Sequence, residues 1–428
     1  MMRKIMSPTI HRKWDAARFY AHNHRDALLG LTLVLLAAVV YYAQASIYLS
    51  EVVDSKVNIY APHKYFWWAD DSRDYRATGD WMFGRSEETW IEIRPWLYPL
   101  LSGTFRAFLG SRAETALWIL QGLLWLASGV FLYFAIYRSV KNPIPAILGS
   151  MLFFSHPSPL ALTFHGMTET LNIFLLSILL WVFTRKESPQ WFFVLFLLGM
   201  LTVTKPTYQL QLTIFTVYFI VKQAKLSRLR LAGLVALALL PIWVQFSISL
   251  SHQGRLNLSE IGPYTFKNFF VAVVHYQTED IGWRDSLKII EDWGTKEQLE
   301  YLWSHPRQTV RTYRDNLIDR NLWIGSFFLR GEGNRLADFG QAMNAVALYA
   351  HFILLPLVVY FLFSHSYGNF AGREAIRAVY AIFLIQTLAA GISTGQEDRL
   401  IITGLPLWIF TYVTVLTVLN ARSEEGNQ

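Results

Sequence analysis

Ten stretches of this 428-residue chain are apolar over about the length a helix needs to cross a bilayer, and nothing else in the sequence constrains the fold as strongly. Roughly 20 mostly apolar residues span the hydrocarbon core. The first stretch runs from Ala27 to Ser50. It is too long for a signal-peptide core, and no small-residue cleavage site with suitable flanks follows it. The others lie at about 115–137, 143–161, 168–184, 191–204, 206–221, 231–250, 341–363, 378–394 and 400–419. In lipid, backbone polar groups must be satisfied within the segment, so such stretches become helices. The expected fold is an all-α polytopic membrane protein of about ten transmembrane helices. The stretches around Pro157, Pro159 and Pro206 are interrupted and read as broken or re-entrant.

Lysine and arginine set the orientation. Ten spans place both termini on one side. If that side is the cytoplasm, the short loops at Tyr137–Asn142, Arg185–Glu187 and Lys222–Arg230 are basic and internal, and the external segments are net acidic. The organisation that follows is a basic cytoplasmic N-terminus at 1–26, then seven spans at 27–250 that enclose a first extracytoplasmic loop at 51–114. A second, partly helical extracytoplasmic loop covers 251–338, the last three spans 339–420, and a cytoplasmic tail 421–428. The expected location is the inner (plasma) membrane. His11, His22 and His24 in the N-terminus read as surface residues. In the second loop, Ser304 with Pro306 reads as a helix start, with Val310, Tyr313 and Leu317 at helical spacing. In the first, Trp96, Leu97, Leu100, Leu101, Phe105 and Phe108 read as a helix lying in the interface.

Composition narrows the chemistry. Only 16% of residues are charged, and there is no cysteine, which excludes thiol catalysis, iron–sulfur clusters and cysteine-based zinc sites. The net charge of +7 follows from the loop asymmetry and does not mark a nucleic-acid surface. No HExxH, P-loop or nucleotide-binding glycine motif is present.

The remaining candidates are polar groups beside apolar segments, where ionisable side chains are costly. Trp67-Trp68-Ala69-Asp70-Asp71-Ser72-Arg73-Asp74-Tyr75 puts three carboxylates within five residues. Adjacent carboxylates repel, so one needs a neutralising partner or a raised pKa, as a general base or metal ligand does. The same residues also suit a helix start, with Asp70 or Asp71 as cap and Asp74 in the first turn. Arg94, before Pro95, can pair with an aspartate or a phosphate, or anchor the interface. Glu169, after His165 and Thr168, opens an apolar run as a functional acid or as a first-turn residue favoured by the helix dipole. Lys205, before Pro206, can bind a lipid phosphate or snorkel. Arg399 follows Gln396-Glu397-Asp398 and can pair locally or face a phosphate.

Taken in order, these features resemble the GT-C superfamily of integral-membrane glycosyltransferases, which includes protein O-mannosyltransferases and lipid A aminoarabinose transferases; the resemblance is to the bacterial branch. An acidic motif after the first span, Asp-x-x-x-Tyr and a small residue, is matched by Asp71-Ser72-Arg73-Asp74-Tyr75-Arg76-Ala77. Arg94-Pro95-Trp96-Leu97-Tyr98-Pro99-Leu100-Leu101 is similar to an Arg-Pro-Pro-x-Tyr-Pro-Leu-Leu motif, with Trp96 in place of the second proline. Thr168-Glu169, Lys205-Pro206, His305-Pro306, and Glu397-Asp398-Arg399-Leu400 with Pro406 follow in family order. Asp70-Asp71 stands where aminoarabinose transferases carry Asp-Glu.

The resemblance implies an inverting glycosyltransferase that moves a hexosyl or pentosyl group from a polyprenyl-phosphate donor to a glycan, lipid or protein hydroxyl, in cell-envelope glycan biosynthesis. Asp71, or Asp70, would be the base. Lys205, Arg399 and Arg94 would hold the donor phosphate. Asp74, Tyr75, Tyr98, His165 and Glu169 would line the sugar or acceptor side. No cofactor is implied, although paired carboxylates suit a divalent metal. The competing readings are a transporter or flippase of a lipid-linked or anionic substrate, and an O-antigen-type polymerase or ligase.

Overall fold

Helices occupy every one of the ten apolar stretches, but they differ in length and straightness. The structure, a computed structural model, describes residues 25–54, 66, 68, 70–185, 190–318, 335–364, 373–393 and 399–425. His11, His22, His24, Trp67, Ala69, Gln396, Glu397 and Asp398 lie outside the described residues, as does the side chain of Asp70. Among the described residues the fold is all-α, without strands.

In chain order the helices are α1 (Arg25–Asp54), α2 (Asp70–Met82), α3 (Leu97–Leu109), α4 (Ala113–Val140), α5 (Pro143–Ser155), α6 (Pro157–Ala161) and α7 (Glu169–Thr184). There follow α8 (Trp191–Thr202), α9 (Gln209–Lys222), α10 (Arg228–Ala238) and α11 (Leu240–Gln253). The segment expected as the second loop carries α12 (Ile261–Phe266), α13 (Ala272–Glu279), α14 (Trp283–Ile289), α15 (Thr295–Ser304) and α16 (Pro306–Asp315). The chain closes with α17 (Arg335–Phe363), α18 (Arg373–Ala390), α19 (Arg399–Ile402) and α20 (Leu405–Glu425).

Among the described residues, three helical stretches are long and apolar enough to cross a membrane: Leu28–Ser50, Leu97–Val140 and Arg335–Phe363. Two bent pairs raise the number to five: α5 with the segment to Phe164, bent by 57°, and α10 with α11, bent by 66°. The first bend falls at the expected break near Pro157. The second falls inside the stretch expected to be one span at 231–250. Its cause is Pro241, in the first turn of α11, which lacks the N–H a continuous helix would use. The bend has a use, because the carbonyl of Pro241 accepts a 3.0 Å bond from Trp96 Nε1. Helix α8 has 12 residues, a rise of about 18 Å, short of the ~30 Å hydrocarbon core. The outward faces of α1 and α17 carry exposed Leu35, Val39, Tyr42, Val346, Phe352 and Ile353, which suits an apolar surround.

Helices α4 and α7 run side by side in the same direction. Their pairings mark the register: Gln121 bonds the carbonyl of His165 just before α7, Phe131 meets Phe174, and Arg138 lies over Trp181. This parallel pair forms the centre of the bundle, with α20 packed across it. Helices α2 and α3 cross almost backbone to backbone. A Cβ on Gly79 would meet the Pro99 carbonyl at 2.6 Å, and one on Gly103 would meet the Gly79 carbonyl at 2.5 Å, so only glycine fits at this crossing. Near 304, Ser304 ends α15, and His305 occupies the cap position of α16. The Ser304 hydroxyl bonds the Tyr301 carbonyl instead of capping α16.

Candidate active site

The first turns of α2 bring Asp71 and Asp74 onto one face, three residues apart. Arg94 reaches them from the loop before α3. Its guanidinium bonds Asp71 Oδ1 at 3.0 Å and Asp74 Oδ2 at 3.1 Å through Nε. That loop is held from behind by α11, where Gln245 accepts from Trp96 N and donates to the Ile91 carbonyl, and by the connection to α12, where Ser259 donates to the Ile93 carbonyl.

From the far end of the sequence, Arg399 at the start of α19 completes the network. Its Nη1 lies 2.6 Å from Asp71 Oδ2, and its Nε lies 2.6 Å from Glu169 Oε1. Lys205, in the break between α8 and α9, places Nζ 3.3 Å from the same Glu169 oxygen. Three carboxylates and three cations thus alternate in one chain of contacts. Arg399 thus has distant partners; the local ones, Glu397 and Asp398, lie outside the described residues. Glu169 is the first residue of α7, as the sequence allows, but its work is tertiary. An unpaired ion at that depth would be prohibitive, and two cations compensate it.

Exposure grades across the network. The side chains of Asp71 and Asp74 are 35% and 25% exposed, whereas Glu169 is fully buried. Beneath the aspartates, Tyr75 and Tyr98 are buried and meet edge to face at 5.3 Å, with Arg94 over the Tyr75 ring at 5.1 Å. His165 is buried and pairs through Nε2 with Tyr48 Oη at 2.8 Å. Tyr75, Tyr98, His165 and Glu169 therefore form the floor of the cluster, and Asp71 and Asp74 its accessible mouth.

Electrostatics separate the two aspartates. Burial raises the Asp71 carboxyl, but Arg399 and Arg94 outweigh it and hold the group at about 2. For Asp74, burial dominates. Arg94 alone does not offset it, Asp71 and Glu88 add repulsion, and its pKa is raised. A proton entering the mouth goes to Asp74 before Asp71. Burial pushes the His165 imidazole down to about 3, so it is neutral at pH 7 and serves as a hydrogen-bonding strut. Among the described residues no three His, Asp or Glu side chains gather as a metal site requires.

Two contributors escape a motif reading. Gln121 on α4 donates to both Tyr98 Oη and the His165 carbonyl, and Tyr48 on α1 holds His165. The available signal was a polar residue inside an apolar run: Gln121 and Gln245 both interrupt expected spans and both are buried. No protein-family model matches this chain, and no curated protein matches it.

Proposed function

We propose that this cluster is the reaction centre of an inverting glycosyltransferase of GT-C type. In this reading the chain crosses the membrane ten times, both termini are cytoplasmic, and the cluster faces the extracytoplasmic side. The donor is a sugar on a polyprenyl phosphate and the acceptor is a hydroxyl. The observation that carries the reading is the convergence of Asp71, Arg94, Glu169, Lys205 and Arg399 from five separate parts of the sequence onto one network whose accessible end is a carboxylate.

The geometry supports the following chemistry. Asp71 at about 2 is a poor base while both its oxygens are held by guanidinium groups. A donor phosphate is an anion that competes for Arg399 and Lys205, and drawing Arg399 toward it raises the basicity of Asp71. The acceptor oxygen then bonds to the anomeric carbon from the face opposite the phosphate. The carbon–oxygen bond to phosphate breaks, its electron pair leaves on the lipid phosphate, and the acceptor proton passes to Asp71. Arg399 and Lys205 stabilise the charge that develops on the leaving phosphate. Glu169 is too deep to touch sugar, and it positions the two cations.

The test is label transfer. Purified protein in detergent is offered radiolabelled polyprenyl-phosphate sugars with a membrane extract as acceptor. Label moving into a glycan with inverted anomeric configuration is the expected result. No transfer from any lipid donor, together with lipid or solute movement across reconstituted vesicles, would replace this reading with the transporter.

A further inference from the structure

At the opposite end of the α4–α7 pair from the charged cluster, two arginines share one indole. The guanidinium of Arg138, in the last turn of α4, lies 5.1 Å from the Trp181 ring centroid, and that of Arg185, just past α7, lies 4.9 Å from it. The two cations are therefore within about 10 Å of each other, close enough to repel in an apolar setting. Neither has a carboxylate partner among the described residues, unlike Arg94, Arg106 and Arg399 at the other end of the bundle. Arg138 Nη1 is shut off from water with no hydrogen-bond partner among the described residues, an unmet charged donor.

The indole continues into an aromatic column. Trp181 meets Phe131 at 5.8 Å, and Phe131 meets Phe174 at 6.1 Å one to two turns deeper. All three rings are partly exposed on the flank of the bundle. A paired cation site at a helix end, standing over an apolar column that runs along the helices, has the chemistry of a phosphodiester head joined to a hydrocarbon tail.

We propose that Arg138, Arg185 and Trp181 hold the head-group phosphate of an anionic phospholipid whose acyl chain lies along Phe131 and Phe174. The site is separate from the charged cluster and does not depend on the transferase reading. One phosphate bridging both guanidinium groups would relieve their repulsion and fill the unmet donor.

The test is lipid binding to the purified full chain by native mass spectrometry, with phosphatidylglycerol, phosphatidylcholine and inorganic phosphate as separate probes. Phosphatidylglycerol should bind about 10-fold tighter than phosphatidylcholine. That preference should disappear in an Arg138→Gln/Arg185→Gln double variant and weaken in Arg185→Gln alone, a change at an exposed position that spares the fold. Phe131→Ala should weaken both lipids without altering their ratio. Equal binding of the two lipids, or a preference that survives the double variant, would overturn the proposal. Inorganic phosphate that blocks the arginines as well as the lipid does would overturn the assignment to a lipid.

Discussion

Two acid–arginine clusters lie along α2, about two turns apart, and they are built differently. The lower one centres on Asp80, which takes Arg85 at 2.6 Å and Arg106 at 3.0 Å, with Arg106 also 3.6 Å from Glu114. All of its members come from α2, α3, the start of α4 and the turn between α2 and α3. It clamps neighbours that the Gly79–Gly103 crossing has already brought together. The upper one centres on Asp71 and draws partners from 23 and 230 residues apart in the chain, the latter between Arg399 and Glu169. Local clamps need little specification beyond opposite charge. A network assembled from the far end of the chain, anchored on a fully buried glutamate and leaving an aspartate at the surface, is expensive to build, and that expense is what argues for a task beyond stability.

The contrast can be broken by mutation. The largest effect on stability should come from Glu169→Gln. It leaves Arg399 and Lys205 buried beside a neutral amide and should cost about 3–5 kcal/mol, read as the midpoint of thermal unfolding in detergent. Asp80→Asn should cost less, about 1–3 kcal/mol, because Arg85 is one-third exposed and Arg106 keeps Glu114 as a second carboxylate. If Asp80→Asn proved the more damaging of the two, the ranking of the clusters would be reversed. Arg399→Lys keeps the charge but loses the fork that bridges Asp71 and Glu169. It should raise KM for the lipid-phosphate donor about 10-fold, while Arg106→Lys leaves KM unchanged. Tyr48→Phe removes only the hydroxyl that holds His165 and should cost about 1 kcal/mol.

The smallest effect is a pH signature. The Asp71 carboxyl is held at about 2, below its ordinary 3.8, so the stability it contributes is present above pH ~3.8 and lost as pH falls toward 2. The stability gap between the unaltered protein and Asp71→Asn should therefore narrow across that window. Asp74, with its raised pKa, should behave in the opposite sense, its charged form being the disfavoured one. A gap that stays constant from pH 4 to pH 2 would mean Asp71 is not held by the two arginines.

Much of this architecture was legible before any coordinates, for identifiable reasons. Apolar length marks helices wherever lipid or a core must cover them, so each expected stretch holds one. Length alone does not show which cross: α8 is too short to do so unaided, and Pro241 splits a stretch that hydropathy reads as continuous. The charged residues of the upper cluster each stood out because an ion beside an apolar run is costly. Their pairing did not, because nothing local to Arg399 points to Glu169. Gln121 and Tyr48 were missed for a related reason: their role exists only once α1, α4 and the segment before α7 meet. The Arg138–Trp181–Arg185 arrangement was visible only as basic loops, since its indole is shared across two helices.

The account rests on Asp71 being the group that receives the acceptor proton. The most direct measurement is the rate of label transfer from polyprenyl-phosphate sugar for the unaltered protein, Asp71→Asn and Asp80→Asn, side by side at matched amounts of folded protein. The account predicts that Asp71→Asn lowers the rate by about 10²–10⁴ while Asp80→Asn stays within a few-fold of the unaltered protein. Transfer that survives Asp71→Asn, or that falls equally in both variants, would contradict it.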